Sequence, residues 1–310
     1  MIEIFYKTIP FFALIGLGYS AAITRFFSAE ATVYLTKFVF YFALSAMLFR
    51  FSSDLSLSEL YDPEFIYAYL SASLIIYFLA TSVAIFRKKV PSEAAVEAQC
   101  SVIGNVGFLG IPMLAILMGP KSVGFIMIIL AIDLIVFGSL IVLIIVASKG
   151  KKLDIFLFYR VLLGLMKNPM IVSIICGLLW SASGWSIPEP INDFIVMLGS
   201  AATPGALFAI GASLAQKSTE RFEVAAWLSF CKLVLHPFAV CIAVFYIFKV
   251  ELYAATVMIA AASLPVAGNI FMVAQHYNVA PKRASAAIFL STVLSIFTVS
   301  FTIAWVSNLN

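Results

Sequence analysis

Long apolar segments separated by short polar turns fill almost the whole chain. A helix that crosses the hydrocarbon core of a bilayer needs roughly 20 mostly apolar residues. Ten segments approach this length, at about 8–24, 32–49, 65–86, 94–117, 123–147, 169–185, 191–214, 224–248, 252–277 and 284–306. The pattern therefore predicts an all-α polytopic membrane protein with ten transmembrane helices.

The fourth segment contains several residues that interrupt a helix. Gly104, Asn105, Gly107, Gly110 and Pro112 all lie within nine residues of one another. Proline removes a backbone donor and clashes with the preceding turn, and glycine weakens a helix entropically. Broken backbone at membrane depth persists only where protein or a water-filled cavity satisfies the freed polar groups. We therefore expect a broken helix here, as in the substrate sites of secondary transporters.

A second interruption is predicted in the ninth segment, where Pro265, Gly268 and Asn269 lie close together. The sequence Gly104–Asn105–Val106 of the fourth segment is repeated there as Gly268–Asn269–Ile270, at an offset of 164 residues. The two breaks thus occupy similar positions in the two halves of the chain.

Other positions of the two halves also match. At an offset of 159 residues the aligned pairs are Pro10 and Pro169, Gly18 and Gly177, Ser45 and Pro204, and Phe49 and Phe208. Each half contains five segments, and this odd number makes the two halves enter the membrane from opposite sides. We predict two inverted five-helix repeats, at 1–147 and 169–310, joined by a basic connection at 148–168.

Basic residues set the expected orientation. Most of the 19 Lys and Arg residues lie in the connections that follow odd-numbered segments. Basic connections stay in the cytoplasm, so both termini are expected to be extracytoplasmic.

Composition excludes a soluble globular domain. The chain is 63% hydrophobic and only 11% charged, and its mean hydropathy is +1.09. The four cysteines lie in apolar segments without the spacing of metal ligands, so we predict no metal site. The lipid bilayer is the expected surrounding, and no nucleic acid is expected as a partner.

Several motifs in combination resemble those of one transporter family. They are Asn105 and Pro112 within GNVGFLGIP, KNP at Lys167–Pro169, ALFAIGASLA at 206–215, Lys232 with Pro237, and SLP and YNVAP between Ser263 and Pro281. With these motifs the chain resembles the auxin efflux carrier family over essentially its whole length. The family includes plant auxin exporters and bacterial malate and malonate permeases.

The resemblance implies a fold like that of sodium/proton antiporters and bile-acid transporters. Segments one, two, six and seven would form a panel domain. Segments three to five and eight to ten would form a core domain, in which the broken segments four and nine cross. The substrates would be organic anions bound at this crossover, and a homodimer is a further expectation from the family.

Two departures from the plant members favour a bacterial inner (plasma) membrane carrier. The chain lacks a long hydrophilic loop at its midpoint, and Ile270 stands where plant members have a proline. The second break therefore depends on Pro265, Gly268 and Asn269.

Polar residues near the breaks are candidate substrate contacts. The amides of Asn105 and Asn269 would either donate to a substrate carboxylate or satisfy the broken backbone, and the two roles are compatible. The N-termini of the half-helices would add partial positive charge. Ser45 and its symmetry-related partner Pro204 would flank the substrate path, and Gln275 would line the vestibule. The crossover itself would be formed by Gly104, Gly107, Gly110, Pro112, Pro265 and Gly268.

Ionisable residues inside apolar segments are candidates for ion coupling or support. Asp133 is the only carboxylate well inside an apolar run, so it needs a proton, a partner or water. It would either carry a coupling ion, H⁺ or Na⁺, or pair with Lys232. Lys232 would otherwise counter the substrate anion or replace a sodium ion. His236 lies one turn from Lys232 on the same helix face and is expected mainly to pack.

We therefore expect a secondary active transporter of the symporter type that moves small mono- or dicarboxylates by alternating access. The alternative is an ion-coupled carrier of larger amphipathic anions, similar to bile acids or auxin. An intramembrane enzyme is disfavoured, because the chain has neither a second membrane aspartate nor an HExxH motif. No cofactor is expected apart from a coupling ion.

Overall fold

The computed structural model describes residues 2–55, 62–148, 159, 163–164, 166–215 and 221–309, with the backbone alone for residues 2–5. Most of the basic connection predicted at 148–168 lies outside the described residues, as does Lys217.

Helices make up nearly all of the described chain. They are α1 (Ile2–Ile23), α2 (Ala29–Ser53), α3 (Pro63–Phe86), α4 (Pro91–Val102), α5 (Val106–Met118), α6 (Ser122–Ser148), α7 (Pro169–Ser183), α8 (Glu189–Leu214), α9 (Phe222–Ile247), α10 (Leu252–Ala262), α11 (Asn269–Tyr277) and α12 (Pro281–Ser307). No strand occurs among these residues. The predicted all-α class is confirmed.

Local sequence explains where several helices begin. Four of them start with proline, whose fixed φ suits the first helical position and whose missing N–H is not needed there. An acceptor side chain often precedes this proline. Asp62 Oδ1 accepts a hydrogen bond from the amide of Phe65 (3.0 Å), and Asn168 Oδ1 accepts one from the amide of Met170 (3.0 Å).

Seven helices in the described part of the chain have the length and apolar composition of a membrane span. They are Tyr6–Ile23, Ala29–Ser53, Pro63–Phe86, Ser122–Ser148, Glu189–Leu214, Phe222–Ile247 and Pro281–Ser307. The protein is therefore a multi-pass membrane protein. The predicted segments four, six and nine include three shorter apolar helices, Val106–Met118, Pro169–Ser183 and Leu252–Ala262. The number of ten transmembrane helices stays a prediction.

Glycines allow two pairs of helices to pack with their backbones in contact. Gly18 of α1 faces the backbone of Phe208 in α8, and the carbonyl oxygen of Phe208 occupies the space that a Cβ would need. Gly177 of α7 faces α2, where a Cβ would lie 2.5 Å from the carbonyl oxygen of Phe49. Small residues permit this close approach of membrane helices. The two contacts join residues that align with each other at the 159-residue offset.

Two short helices lie deepest in the molecule. Every residue of α4 from Ala94 to Val102 is buried, and so is every residue of α10 from Ala254 to Ala262. Each of these helices leads directly into one of the predicted breaks. The breaks thus lie in the interior of the protein, where broken backbone in a membrane can be satisfied.

Candidate functional site

The two predicted breaks meet inside the protein. After α4 and α10 end, the backbone amide of Asn105 donates to the carbonyl oxygen of Pro265 (2.8 Å). The amide of Ala267 donates in return to the carbonyl oxygen of Ile103 (3.1 Å). These bonds form an isolated antiparallel bridge at Gly104. Each break therefore satisfies backbone groups that the other leaves free.

A new helix begins after each break. Helix α5 starts with a π-helical turn at Val106, and α11 starts at Asn269. The first amide groups of a helix lack intrahelical acceptors and carry partial positive charge. The side chain of Asn105 stands at the cap position of α5 but makes no cap hydrogen bond. The side-chain amide of Asn105 is therefore not used to cap α5.

A cavity of about 560 Å³ lies where these helix ends meet. It brings together the predicted residues Asn105, Asn269 and Asp133 and the glycines at 104, 107 and 268. Its polar lining residues are Gln99, Asn105, Asp133, Ser139, Asn168, Asn269, His276 and Tyr277. None of the described residues that line it is a lysine or an arginine.

Three of the lining side chains have a buried oxygen without a hydrogen-bond partner in the described part of the chain. These atoms are Gln99 Oε1, Asp133 Oδ2 and Asn269 Oδ1. A buried acceptor left unpaired costs about 1–3 kcal/mol, so water, an ion or a substrate should meet these groups. Gln99 was not predicted from the sequence. The available signal was a polar residue on the half-helix that leads into the first break.

Asp133 is buried and starts a π-helical turn within α6. Such turns are frequent at functional sites. The hydroxyl of Tyr69, a buried residue of α3, donates to Asp133 Oδ1 (2.9 Å). The ion pairs found among the described residues do not include one between Asp133 and Lys232. The direct partner of Asp133 is therefore a neutral phenol, which sequence reasoning did not propose.

Lys232 is fully buried and lies against both breaks. Its Nζ donates to the carbonyl oxygen of Ala262, the last residue of α10, and lies 3.3 Å from His236 Nδ1. The other ring nitrogen of His236 lies 3.0 Å from the hydroxyl oxygen of Ser73. A Cβ on Gly104 would come within 3.3 Å of the lysine nitrogen. A cation here complements the negative end of α10.

The other predicted residues do not line the cavity. The hydroxyl of Ser45 donates to a carbonyl of its own helix (3.2 Å). Gln275 is exposed, whereas Gly110, Pro112 and Pro265 are buried. A Cβ on Gly110 would lie 2.6 Å from the methyl carbon Cδ1 of Leu264, which lies at the second break. This glycine therefore allows the two breaks to approach.

A buried ion network lies on α4, which carries the first break. Glu97 is fully buried and accepts hydrogen bonds from Arg87 and, at 2.8 Å, from Arg283. Arg283 also pairs with Glu93 at 3.3 Å. Glu97 lies near the start of the predicted segment 94–117 and is a second buried carboxylate besides Asp133, which was predicted to lie well inside an apolar run. The burial of Glu97 was not predicted because α4 is not strongly apolar, although every residue from Ala94 to Val102 is buried.

The described residues contain no group of three or more His, Cys, Asp or Glu side chains that could hold a metal ion. Cys100 and Cys231 are buried as free thiols. The polar groups of the cavity are mainly amides and hydroxyls, and these suit recognition of a ligand by hydrogen bonds.

Comparison with known proteins identifies the class. A family model described as "Membrane transport protein" matches residues 3–303. A protein of Rhizobium meliloti (strain 1021), named "Putative malonate transporter", is 29% identical over 306 residues, which cover 97% of this chain and 95% of that protein. These matches indicate a transporter and not an enzyme. The chain therefore belongs to the membrane transport protein family, the auxin efflux carrier family that its motifs indicated.

Proposed function

We propose that the protein is a secondary active transporter of small mono- or dicarboxylates in the bacterial inner membrane. The observation that carries this proposal is the cavity in which the two helix breaks meet. The N-termini of α5 and α11 and the side chains of Asn105 and Asn269 lie there together. Helix N-termini and amide donors both stabilise a bound carboxylate. Family membership and the name of the relative from Rhizobium meliloti support this class of substrate.

The donors proposed for the substrate are neutral. Because none of the described lining residues is lysine or arginine, the cavity compensates the charge of an organic anion only in part. Asn105, Asn269 and Gln99 each offer an amide group that can rotate to present N–H or C=O. Such a site can bind a carboxylate from either side of the membrane without the strong ion pair that would hinder its release.

Asp133 provides the coupling in this mechanism. An anion about 4 Å from an ionised carboxylate would be repelled by about 4 kcal/mol at an effective dielectric constant near 20. This repulsion corresponds to roughly a thousandfold loss of affinity. A proton on Asp133, or a sodium ion beside its unpartnered Oδ2, removes the repulsion. Anion and cation would then move together.

Alternating access would arise from two inverted repeats. The contact between Gly18 and Phe208 recurs between Gly177 and Phe49, and the partners are related by the same offset of 159 residues. This double contact supports a panel of segments one, two, six and seven. The core domain would move along this panel and carry the crossing segments four and nine with it.

The direct test is thermal unfolding of the purified full-length protein with a set of anions. Malonate, malate and acetate should raise the unfolding midpoint, whereas chloride and sulfate at the same ionic strength should not. A ligand at 100 times its Kd stabilises by about 2.7 kcal/mol. Stabilisation only by bile acids or aromatic carboxylates would replace the proposed substrate class. No stabilisation by any organic anion would refute the site.

Coupling is tested by repeating the titrations with Asp133→Asn. In the native protein, malonate affinity should increase with proton or sodium concentration. The substituted amide is always neutral, so the affinity of the variant should no longer depend on that cation. An unchanged dependence in Asp133→Asn would assign coupling to a different group.

A further inference from the structure

A second cavity, of about 480 Å³, shares no lining residue with the candidate substrate site. It lies between the end of α3 and the start of α9. Its walls are formed by Val83, Arg87, Arg221, Glu223, Val224 and Trp227. We call this cavity the arginine cleft. Two arginines and one glutamate contribute to its lining, together with valines of α3 and α9 and a tryptophan of α9.

The polar groups of the arginine cleft favour an anion with several oxygen atoms. Arg87 and Arg283 share the carboxylate of Glu97, and Arg283 also pairs with Glu93. Arg87 Nε and Trp227 Nε1 are both buried and have no acceptor in the described part of the chain. A guanidinium group presents its donors in a planar fork that matches the oxygens of a phosphate.

The position of the cleft along the helices indicates the membrane surface. Arg87 directly follows the candidate span Pro63–Phe86, and Arg221 directly precedes the candidate span Phe222–Ile247. The flanking aromatic side chains are strongly exposed, at 87% for Phe86 and 70% for Phe222. Large aromatic residues at the end of a span are expected to contact lipid near the headgroups.

We propose that the arginine cleft binds the headgroup phosphate of an anionic phospholipid. Arg87 and Arg221 hold the phosphate, and the indole N–H of Trp227 donates to an ester oxygen deeper in the lipid. The acyl chains lie over Phe86 and Phe222. Basic pockets between transmembrane helices on the cytoplasmic side bind anionic headgroups in this way. The predicted orientation places this end of α3 and α9 on the cytoplasmic side.

The lipid would also contact the ion network that supports the first break. Arg87 lines the cleft and donates to Glu97 on α4. Lipid phosphate at Arg87 would therefore help to fix the half-helix that carries Gln99 into the substrate cavity. We therefore expect bound lipid to raise the unfolding midpoint of the whole carrier.

The test uses the full-length protein after delipidation in a neutral detergent. Phosphatidylglycerol is titrated while the unfolding midpoint is followed, with phosphatidylcholine, inorganic phosphate and glycerol phosphate as comparisons. One basic residue near the membrane surface contributes about fivefold in affinity. Arg221→Gln should therefore weaken the apparent phosphatidylglycerol affinity about fivefold. Arg25→Gln, which removes an exposed arginine outside the cleft, should leave the affinity unchanged.

Native mass spectrometry gives a second readout of retained phosphatidylglycerol. Arg87 also pairs with Glu97, so its loss is expected to disturb folding as well. Trp227→Phe keeps an aromatic ring at this position and removes the N–H donor together with the five-membered part of the indole. The wild type should retain phosphatidylglycerol that both Arg221→Gln and Trp227→Phe lose more readily. The proposal would be overturned if the wild type and both variants retained phosphatidylglycerol equally. It would also be overturned if Arg25→Gln lost the lipid as readily as the two cleft variants. Equal stabilisation by inorganic phosphate would overturn the lipid in favour of a soluble anion.

Discussion

Replacing Gly18 by alanine should destabilise the packing of α1 against α8. A Cβ at position 18 would lie 2.8 Å from the carbonyl carbon of Phe208 and 3.0 Å from its Cα, closer than the ordinary contact range that begins at 3.4 Å. These are backbone atoms, so no side-chain rotation can relieve the clash, and the helices must separate. Overpacking of this kind costs about 1–3 kcal/mol.

A matched control lies two residues earlier on the same helix. A Cβ on Gly16 would meet no atom within 4 Å. Gly16→Ala should leave stability unchanged or raise it by about 0.5–1 kcal/mol, because glycine is a poor helix former. The test is to measure the unfolding midpoints of both variants side by side in detergent. Equal midpoints for Gly16→Ala and Gly18→Ala would refute the reasoning, whereas Gly177→Ala should resemble Gly18→Ala.

Three further predictions concern the site and its support. Asn105→Ala should abolish stabilisation by malonate and leave the unfolding midpoint without ligand unchanged; loss of both would make the residue structural. Glu97→Gln should cost about 3–5 kcal/mol in unfolding free energy, because it removes the buried carboxylate shared by two arginines. Glu93→Gln, at a half-buried site, should cost less than about 1 kcal/mol in the same assay. Lys232→Met leaves the carbonyl at the end of α10 without its donor, and calorimetry should show a loss of about 1–3 kcal/mol.

Local sequence was sufficient to locate the two breaks. Glycine, asparagine and proline act on the backbone of their own segment, so Gly104–Pro112 and Pro265–Asn269 could be recognised without knowledge of the fold. The starts of α3 and α7 were predictable for the same reason, because a proline and a preceding acceptor side chain mark them. Cavity-lining positions such as Asn105 follow directly from the breaks.

Partners that come from distant parts of the chain could not be predicted. Tyr69 and Asp133 are 64 residues apart, and Glu97 and Arg283 are 186 residues apart. The local periodicity of a single sequence does not indicate which residues so far apart along the chain are in contact. The burial of Glu97 was equally hidden, because α4 carries several polar residues, whereas tertiary packing buries every residue from Ala94 to Val102. Tertiary context overrides such local preferences.

The bridge between the two breaks has a consequence for how such a carrier can evolve. Its two hydrogen bonds join main-chain groups of Asn105, Pro265, Ala267 and Ile103, so they are independent of side-chain identity except where proline removes a donor. The scaffold of the cavity is therefore separate from the chemistry of its walls. Substitutions at Asn105 and at other lining positions can alter which anion is recognised while the same main-chain framework persists, which allows one architecture to diversify over many substrates.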